Sequence, residues 1–577
     1  MSDDVAPTRN ASAPTITFAE QFTPKLVTVL REGYGAKELR ADAFAGATVA
    51  IVALPLSMAI AIASGVGPER GLYAAIVGGF LVSLLGGSRF QVGGPAGAFI
   101  ILVAATVQRH GLDGMLLATL LSGLMLAAAG FLRLGAYIRL IPYPVTVGFT
   151  AGIAVIIFAS QIRDLLGLTI EGDAGHGLAG TLAAATDAIG TANPYAAAIA
   201  IATVVLIVLI RRWRPSLPGI LIAVTLAGAA AALLGLPVET IGTRFGGIPS
   251  GFPSPALPAF GFEKLTAVLP DAFAFTLLGA IESLLSATVA DGMTGRRHRS
   301  NSELVAQGAA NIGAALFGGM VVTGTIARTA TNVRAGAHGP VAGMLHSVFL
   351  LTFMLVAAPL ASYAPLAALA GVLAVVAWNM IEREAIVSLI KTSKGDAAAL
   401  AATFLLTVFR DLTEAIIVGV AIGALAFINR MAEAAALKSG RSLVVADRAD
   451  DAPAARTAYD PANVPDGVAV YRIAGALFFG SAASLAIALD KILAGQRALV
   501  LDFSEAALVD STGAQAIRSF IEKARRQGVG VVIAAANPET RRALLAAGVS
   551  AAAARFSPDL SAALNELSPA PPESALI

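Results

Sequence analysis

The chain has 577 residues, 56% of them hydrophobic and 14% charged, with a formal net charge of +2 and a mean hydropathy of +0.76. An ordinary soluble domain carries about 25% charge, so this is the composition of a polytopic membrane protein. The near-neutral balance gives no argument for nucleic acid. Zero cysteines exclude disulfides, Cys-ligated zinc and iron–sulfur centres, and five scattered His residues offer neither a metal site nor a cofactor ligand set.

Residues 1–40 are polar, contain Pro7, Pro14 and Pro24, lack the basic-then-apolar pattern of a cleaved signal, and read as an N-terminal arm. About 20 apolar residues cross the hydrocarbon core as a helix. Runs of that kind lie near 43–64, 71–87, 113–132, 144–162, 195–210, 218–235, 270–290, 302–320, 339–361, 365–381, 397–410 and 413–430. Two shorter segments, 94–108 and 326–338, open on Gly, Pro and Thr and bring the expected total to fourteen. With the N-terminus inside, the loops holding Arg211, Arg212 and Arg214, then Arg296, Arg297 and Arg299, then Arg383, Lys391 and Lys394 fall in the cytoplasm. The stretch 164–194, without Lys or Arg, falls outside, and an even span count returns the C-terminal tail to the cytoplasm.

An internal repeat accounts for the two short segments. Asp42 opens "DAFAGATVAIVALP" and Asp271 opens "DAFAFTLLGAIESL", an offset of 229 residues; Val92 opens "VGGPAGAF" and Val322 opens "VTGTIART", an offset of 230. Each half (about 41–236 and 260–436) holds seven spans, an odd number, so the second copy enters the membrane from the opposite side. That is the inverted-repeat plan of secondary transporters, in which discontinuous helices near the midplane point to the binding site.

Segments 91–97 and 321–327 read as extended, small-residue lead-ins to short helices whose first N–H groups have no intrahelical acceptor. Two such N-termini facing each other present donors and partial positive charge to an anion. Arg328 adds a full charge, Thr325 and Thr329 can donate hydroxyls, and the glycines admit close backbone approach. The candidate anion-contacting residues are therefore Gly94, Ala96, Gly97, Thr325, Ile326, Ala327 and Arg328. Glu282 stands twelve residues into the span that starts at Pro270, about 18 Å along the axis, near the midplane, with Gly279, Ser283 and Ser286 around it. It can load and release a proton as the site moves between dry and wet faces. The alternative is a permanent Glu282–Arg328 ion pair that only holds the core together.

After Arg430 the pattern alternates between strands and helices: strands at "GVAVYRIAG", "RALVLDF" and "VGVVIAAA", helices at "SAASLAIALDKIL" (481–493), "DSTGAQAIRSFIEKARRQG" and "PETRRALLAAG", following a charged, Pro-rich linker at 446–467. The expected domains are an arm (1–40), a membrane domain (41–436), a small α/β domain (437–566) and a tail (567–577).

The wording of "PLSMAIAIASGVGPERGLYAAIVGG", "GGSRFQVGGPAGAF", "GAIESLLSATVADGMTG" and "GTIARTATNVRAG" resembles the sulfate permease (SulP, solute carrier 26) family, and "LVLDFSEAALVDSTG" resembles its STAS domain. Within the family the chain looks most like bacterial proton-coupled four-carbon dicarboxylate transporters. The resemblance implies a core and a gate domain in a fourteen-span inverted repeat, elevator-like movement, a homodimer in the bacterial inner membrane with cytoplasmic termini, and Glu282 at the cation-coupling position, where sodium-coupled relatives carry Asp. Many relatives read Pro-Gln-Gly-Met-Ala-Tyr-Ala in the first span; here Pro55-Leu56-Ser57-Met58-Ala59-Ile60-Ala61 lacks the glutamine, and Ser57 joins the candidate anion residues. In soluble relatives the position of Ser511 is phosphorylated, whereas the plainer reading is that Asp510 or Ser511 caps the following helix. Three functions stay open on the residues: an ion-coupled anion transporter, an uncoupled channel or motor, and a membrane-anchored signalling protein. With no nucleophile, base and orienter together, an enzyme is not expected.

Overall fold

The computed structural model describes residues 21–135, 142–170, 177–214, 217–410, 414–426, 465, 467–473, 475–477, 496–550 and 553–567. Apolar run length fixes most of the helices. In the first repeat α1 (Lys25–Arg31) lies in the polar arm, α2 (Ala36–Ala63) carries Pro55 within it, and α3 (Pro68–Leu85) passes through a π-helical stretch at Ala74–Gly78. β1 (Gly93–Gly94) leads into α4 (Gly97–Phe131). The two spans expected at 94–108 and 113–132 are joined in α4 through Gly111 alone, at φ 69°, a backbone conformation that a side chain would disfavour. Then come α5 (Tyr143–Ser160), α6 (Ile162–Leu166), α7 (Gly177–Asp187), α8 (Pro194–Trp213), α9 (Gly219–Leu233) and α10 (Ile241–Phe245).

The second repeat supplies α11 (Phe262–Thr294), α12 (Ser300–Leu316), β2 (Thr323–Gly324), α13 (Ile326–Arg334), α14 (Val341–Ala361), α15 (Leu366–Met380), α16 (Arg383–Thr392), α17 (Lys394–Phe409) and α18 (Glu414–Ala426). Every one of the fourteen expected segments contains helix. Eight helical runs among the described residues are long and apolar enough to cross a membrane.

The chain divides into two compact units. The first comprises residues 1–138, 161–169 and 191–373 and is organised by α4 packing on α11 and α12 and by α2 packing on α14. Small residues let these helices approach backbone to backbone: a Cβ on Gly123 would meet the Gly308 carbonyl at 2.7 Å, and one on Gly308 the Gly123 carbonyl at 2.6 Å. Such contact replaces the hydrophobic driving force that lipid cannot provide between helices.

The second unit comprises residues 139–160, 170–190 and 374–577, with α5 against α17 and a C-terminal α/β layer structure. Its strands are β3 (Val468–Arg472), β4 (Gly475–Leu477), β5 (Ala498–Asp502), β6 (Ala506–Val509), β7 (Gly530–Ala534) and β8 (Arg555–Ser557), with helices α19 (Ser511–Arg526), α20 (Pro538–Ala546) and α21 (Leu560–Leu567). The main sheet is parallel in the order β3-β5-β7-β8, and β4 pairs with β6 separately. One face buries Leu499, Leu501 and Ile533 against Ile517, Ile521 and Leu544; the other buries Val468, Val500 and Val532 against Ala563. The helix expected at 481–493 and nearly all of the linker 446–467 lie outside the described residues.

Candidate functional site

Two extended lead-ins meet inside the first unit. β1 and β2 pair antiparallel, Gly93 opposite Gly324 and Gly94 opposite Thr323. Under the 230-residue offset Gly93 corresponds to Thr323 and Gly94 to Gly324, so this register is the one that a two-fold axis between inverted repeats requires. A backbone without helical partners is tolerated at membrane depth only where protein satisfies it, and the seam does so group by group. Thr325 N–H donates to Val92 O at 3.1 Å, and Val92 N–H donates to Thr329 Oγ1 at 3.2 Å. On the outer edge Asn311 acts as a short strand, its Nδ2 donating to Val322 O and its Oδ1 accepting from Val322 N–H, both at 2.8 Å. Asn332 Nδ2 donates to Phe90 O at 2.9 Å.

The face of α11 bearing Gly279, Ser283 and Ser286 closes the seam from one side. Thr323 Oγ1 donates to Gly279 O at 3.1 Å, Gln91 Nε2 to Ser283 Oγ at 2.8 Å, and Ser286 Oγ to Thr329 Oγ1 at 3.1 Å. Glu282, half-buried, shares this side of the helix and makes neither an ion pair nor a hydrogen bond among the described residues.

Arg328 is 1% exposed. Its Nη2 donates to Ser57 Oγ at 2.9 Å and to Pro95 O at 3.3 Å, and Nη1 to Gly93 O at 3.4 Å. A Cβ on Gly94 would overlap Nη1 and stand 2.8 Å from Cζ, so the guanidinium occupies the space that this glycine leaves. No carboxylate lies within 4.0 Å of it among the described residues, and Nε is buried without a partner. The permanent Glu282–Arg328 ion pair weighed from the sequence is therefore not formed. A buried charge held only by neutral acceptors is costly to leave uncompensated, by several kcal/mol per ion.

Both short helices start next to this charge. Ala96 and Thr325 precede them in extended conformation, at φ −115° and −105°, and neither start has a side-chain cap. The first-turn N–H groups of Gly97, Ala98, Ile326 and Ala327 are thus not consumed by capping side chains. Ala96 and Thr325 are buried, Gly97 and Ile326 half-buried and Ala327 exposed, so Gly97, Ile326 and Ala327 border the accessible end of the seam. Of the hydroxyls expected to donate to an anion, Thr325 Oγ1 donates instead to Val92 O at 3.3 Å, while Thr329 Oγ1, fully buried, accepts from Val92 N–H and Ser286 Oγ within the seam. The structure thus joins Ser57, Gly94, Thr325 and Arg328 through direct contacts or the seam ladder. Asn311 and Asn332 were not singled out from sequence, although a polar amide in the apolar run 302–320 was a usable signal.

Ser511 belongs to the second unit. Asp510 is the N-cap of α19, accepting from Gly513 N–H at 2.7 Å, as the plainer reading held. Ser511 Oγ donates to Asp396 Oδ2, in the first turn of α17, at 3.0 Å.

An inverted repeat of membrane helices with two short helices meeting head to head, followed by a small parallel α/β domain, defines a two-part membrane transporter. The sulfate permease family model matches residues 39–403 and the STAS domain model residues 461–563, and the chain belongs to the sulfate permease family. It is 37% identical over 521 residues to the Bacillus subtilis protein YvdB, named a candidate sulfate transporter, covering 90% of this chain and 95% of that one. It is 31% identical over 519 residues to the bicarbonate transporter BicA of a Picosynechococcus species, covering 88% and 90%. Among solved structures, the transmembrane domain of a cyanobacterial BicA superposes with a TM-score of 0.60 at 33% identity over 66% of this chain and 98% of that one. Murine Slc26a9, an anion transporter in the inward-facing state, shares the fold with a TM-score of 0.66 at 19% identity, over 97% and 96%. The chain is a multi-pass membrane anion transporter and not an enzyme.

Proposed function

We propose that the protein is a secondary active transporter that carries a small anion at the seam between the two short helices, in symport with a proton held by Glu282, by elevator-like movement of a homodimer in the bacterial inner membrane. The observation that carries this reading is the buried guanidinium of Arg328 with no carboxylate within 4.0 Å among the described residues, beside two helix starts that no described side chain caps. Charge missing from the protein there is charge that a bound anion can supply. Glu282 has no charged partner among the described residues, so a proton taken up with the anion neutralises the second unpaired charge and makes the loaded site cheaper to move.

The first substrate reading is a four-carbon dicarboxylate such as succinate, fumarate or aspartate. A second reading, bicarbonate or sulfate, is favoured by the names of the relatives above. Helix starts and one arginine select charge and size, which both classes satisfy. Uptake of labelled dicarboxylates, bicarbonate and sulfate into proteoliposomes at pH 5.5 and 7.5 separates them. Glu282→Gln, which imitates the protonated acid, should still bind and exchange the anion but lose accumulation driven by an inward proton gradient. Wild-type pH dependence in that variant overturns the proton role.

A further inference from the structure

The repeated Asp-Ala-Phe-Ala motif does more than mark the repeats. Asp42 on α2 is fully buried and Asp271 on α11 is 4% exposed. Asp42 Oδ1 accepts the backbone N–H groups of His338 and Gly339 at 2.5 and 3.0 Å, and Oδ2 accepts from Tyr34 Oη at 2.8 Å. Asp271 Oδ1 accepts from Arg109 Nη2 at 2.6 Å and Thr106 Oγ1 at 3.0 Å, and His110 Nε2 stands 3.3 Å from Oδ2. The 229-residue offset that relates Asp42 to Asp271 also relates Arg109 and His110 to His338 and Gly339. Each aspartate therefore meets the equivalent pair of residues in the other repeat, Asp42 bonding both backbone groups and Asp271 bonding Arg109 with His110 alongside.

The gripped residues follow directly from the short helices. Arg109 and His110 end the first half of α4, just before the break at Gly111, and His338 and Gly339 come just after α13 and the positive-φ Gly336. The starts of both short helices meet at the β1–β2 seam, so each helix is fixed at its start by the seam and at its far end by an aspartate. We infer that Asp42 and Asp271 are a matched pair of positioning residues that set how far each short helix reaches into the anion site. The inference rests on the anion binding at those helix starts.

The two grips use different chemistry, which makes them separable. Asp42 holds backbone donors, so Asn can replace it through its carbonyl oxygen while Ala cannot. Asp271 holds a guanidinium, so Arg109→Gln leaves the buried carboxylate with only Thr106 Oγ1 and His110 beside it, and Asp271→Asn in the same chain removes that under-compensated charge.

The test uses full-length protein in proteoliposomes supplied in turn with labelled succinate, bicarbonate and sulfate, with hydrogen exchange measured on the same preparations without anion. Asp42→Ala and Arg109→Gln should raise the apparent KM for the transported anion roughly 10- to 100-fold. Both should speed exchange at residues 93–99 and 323–330. Asp42→Asn and the Arg109→Gln/Asp271→Asn double variant should recover most of both effects. Arg328→Ala, run alongside, separates the premises: unchanged KM in that variant removes the anion site itself. Loss of binding in Arg328→Ala, with normal KM and seam exchange in Asp42→Ala and Arg109→Gln, overturns the positioning role alone. If the Ala variant does not assemble, the Asp42→Asn and double-variant comparisons decide by the same readouts.

Discussion

Replacing Ser57 by Ala is the narrowest perturbation of the proposed anion site. The Ser57 hydroxyl gives its proton to Ala53 O at 2.7 Å, which leaves its lone pairs to accept from Arg328 Nη2 at 2.9 Å. Among the described residues it is the one side chain that holds the guanidinium; the other two acceptors are the carbonyls of Gly93 and Pro95, at 3.4 and 3.3 Å. A hydrogen bond to a charged group contributes about 1.5–3 kcal/mol, and ~1.4 kcal/mol is tenfold in an equilibrium constant, so truncation should weaken anion binding roughly 10- to 150-fold. Equilibrium binding on purified protein reads this directly, with the thermal midpoint recorded beside it. In an Arg328→Ala background the same truncation should cost nothing further, because the two residues act as one unit. Equal or tighter anion binding by Ser57→Ala would refute the reasoning, since the serine would then merely occupy a guanidinium that the anion has no use for.

Gly94→Ala should abolish anion binding while the helices stay assembled, because the added methyl takes the place of Nη1; binding within twofold of wild type, read by the same equilibrium measurement, would contradict it. Ser511→Ala should loosen the start of α19 by about 1.5–3 kcal/mol, and Ser511→Asp by more, since it sets a second negative charge against Asp396; faster hydrogen exchange at residues 511–515 with unchanged substrate preference is the expected result. Burial, with Arg299 and Arg89 close by, lowers Lys25 from 10.5 to about 8. Between pH 8 and 10.5 the unfolded chain holds more protons there than the folded one, so the docking of α1 should grow more stable as pH rises through that window, and Lys25→Met should flatten the rise in thermal midpoint.

The membrane helices were legible because run length alone defines a span, and the seam was legible because Gly, Pro and Thr interrupt apolar sequence at matching offsets. What escaped was partner choice. The sequence offered Glu282 and Arg328 as each other's counter-ions, yet the guanidinium turns to Ser57 and two carbonyls, since the space behind Gly94 lets it reach the opposite lead-in. Thr325 and Thr329 looked like donors to an anion, but the seam backbone takes the Thr325 hydroxyl proton and uses the Thr329 oxygen as an acceptor. Asp42 and Asp271 stood out as repeat markers, but their grips reach 297 and 162 residues along the chain, beyond any local pattern. The helices α1 and α7 lay in stretches read only as a polar arm and an external segment.

The seam also sets a schedule for assembly. Gly93 cannot find Gly324 until 231 further residues have been made, which at about 5–20 residues per second takes roughly 10–50 s. Throughout that interval the first lead-in has emerged, its backbone donors and acceptors lack their strand partner, and lipid can offer none. The first repeat must therefore wait in a wet or protein-lined place, held by the insertion machinery or by its own loosely packed helices. Destabilising changes anywhere in residues 321–330 should then be felt first as failed biogenesis of the half already synthesised.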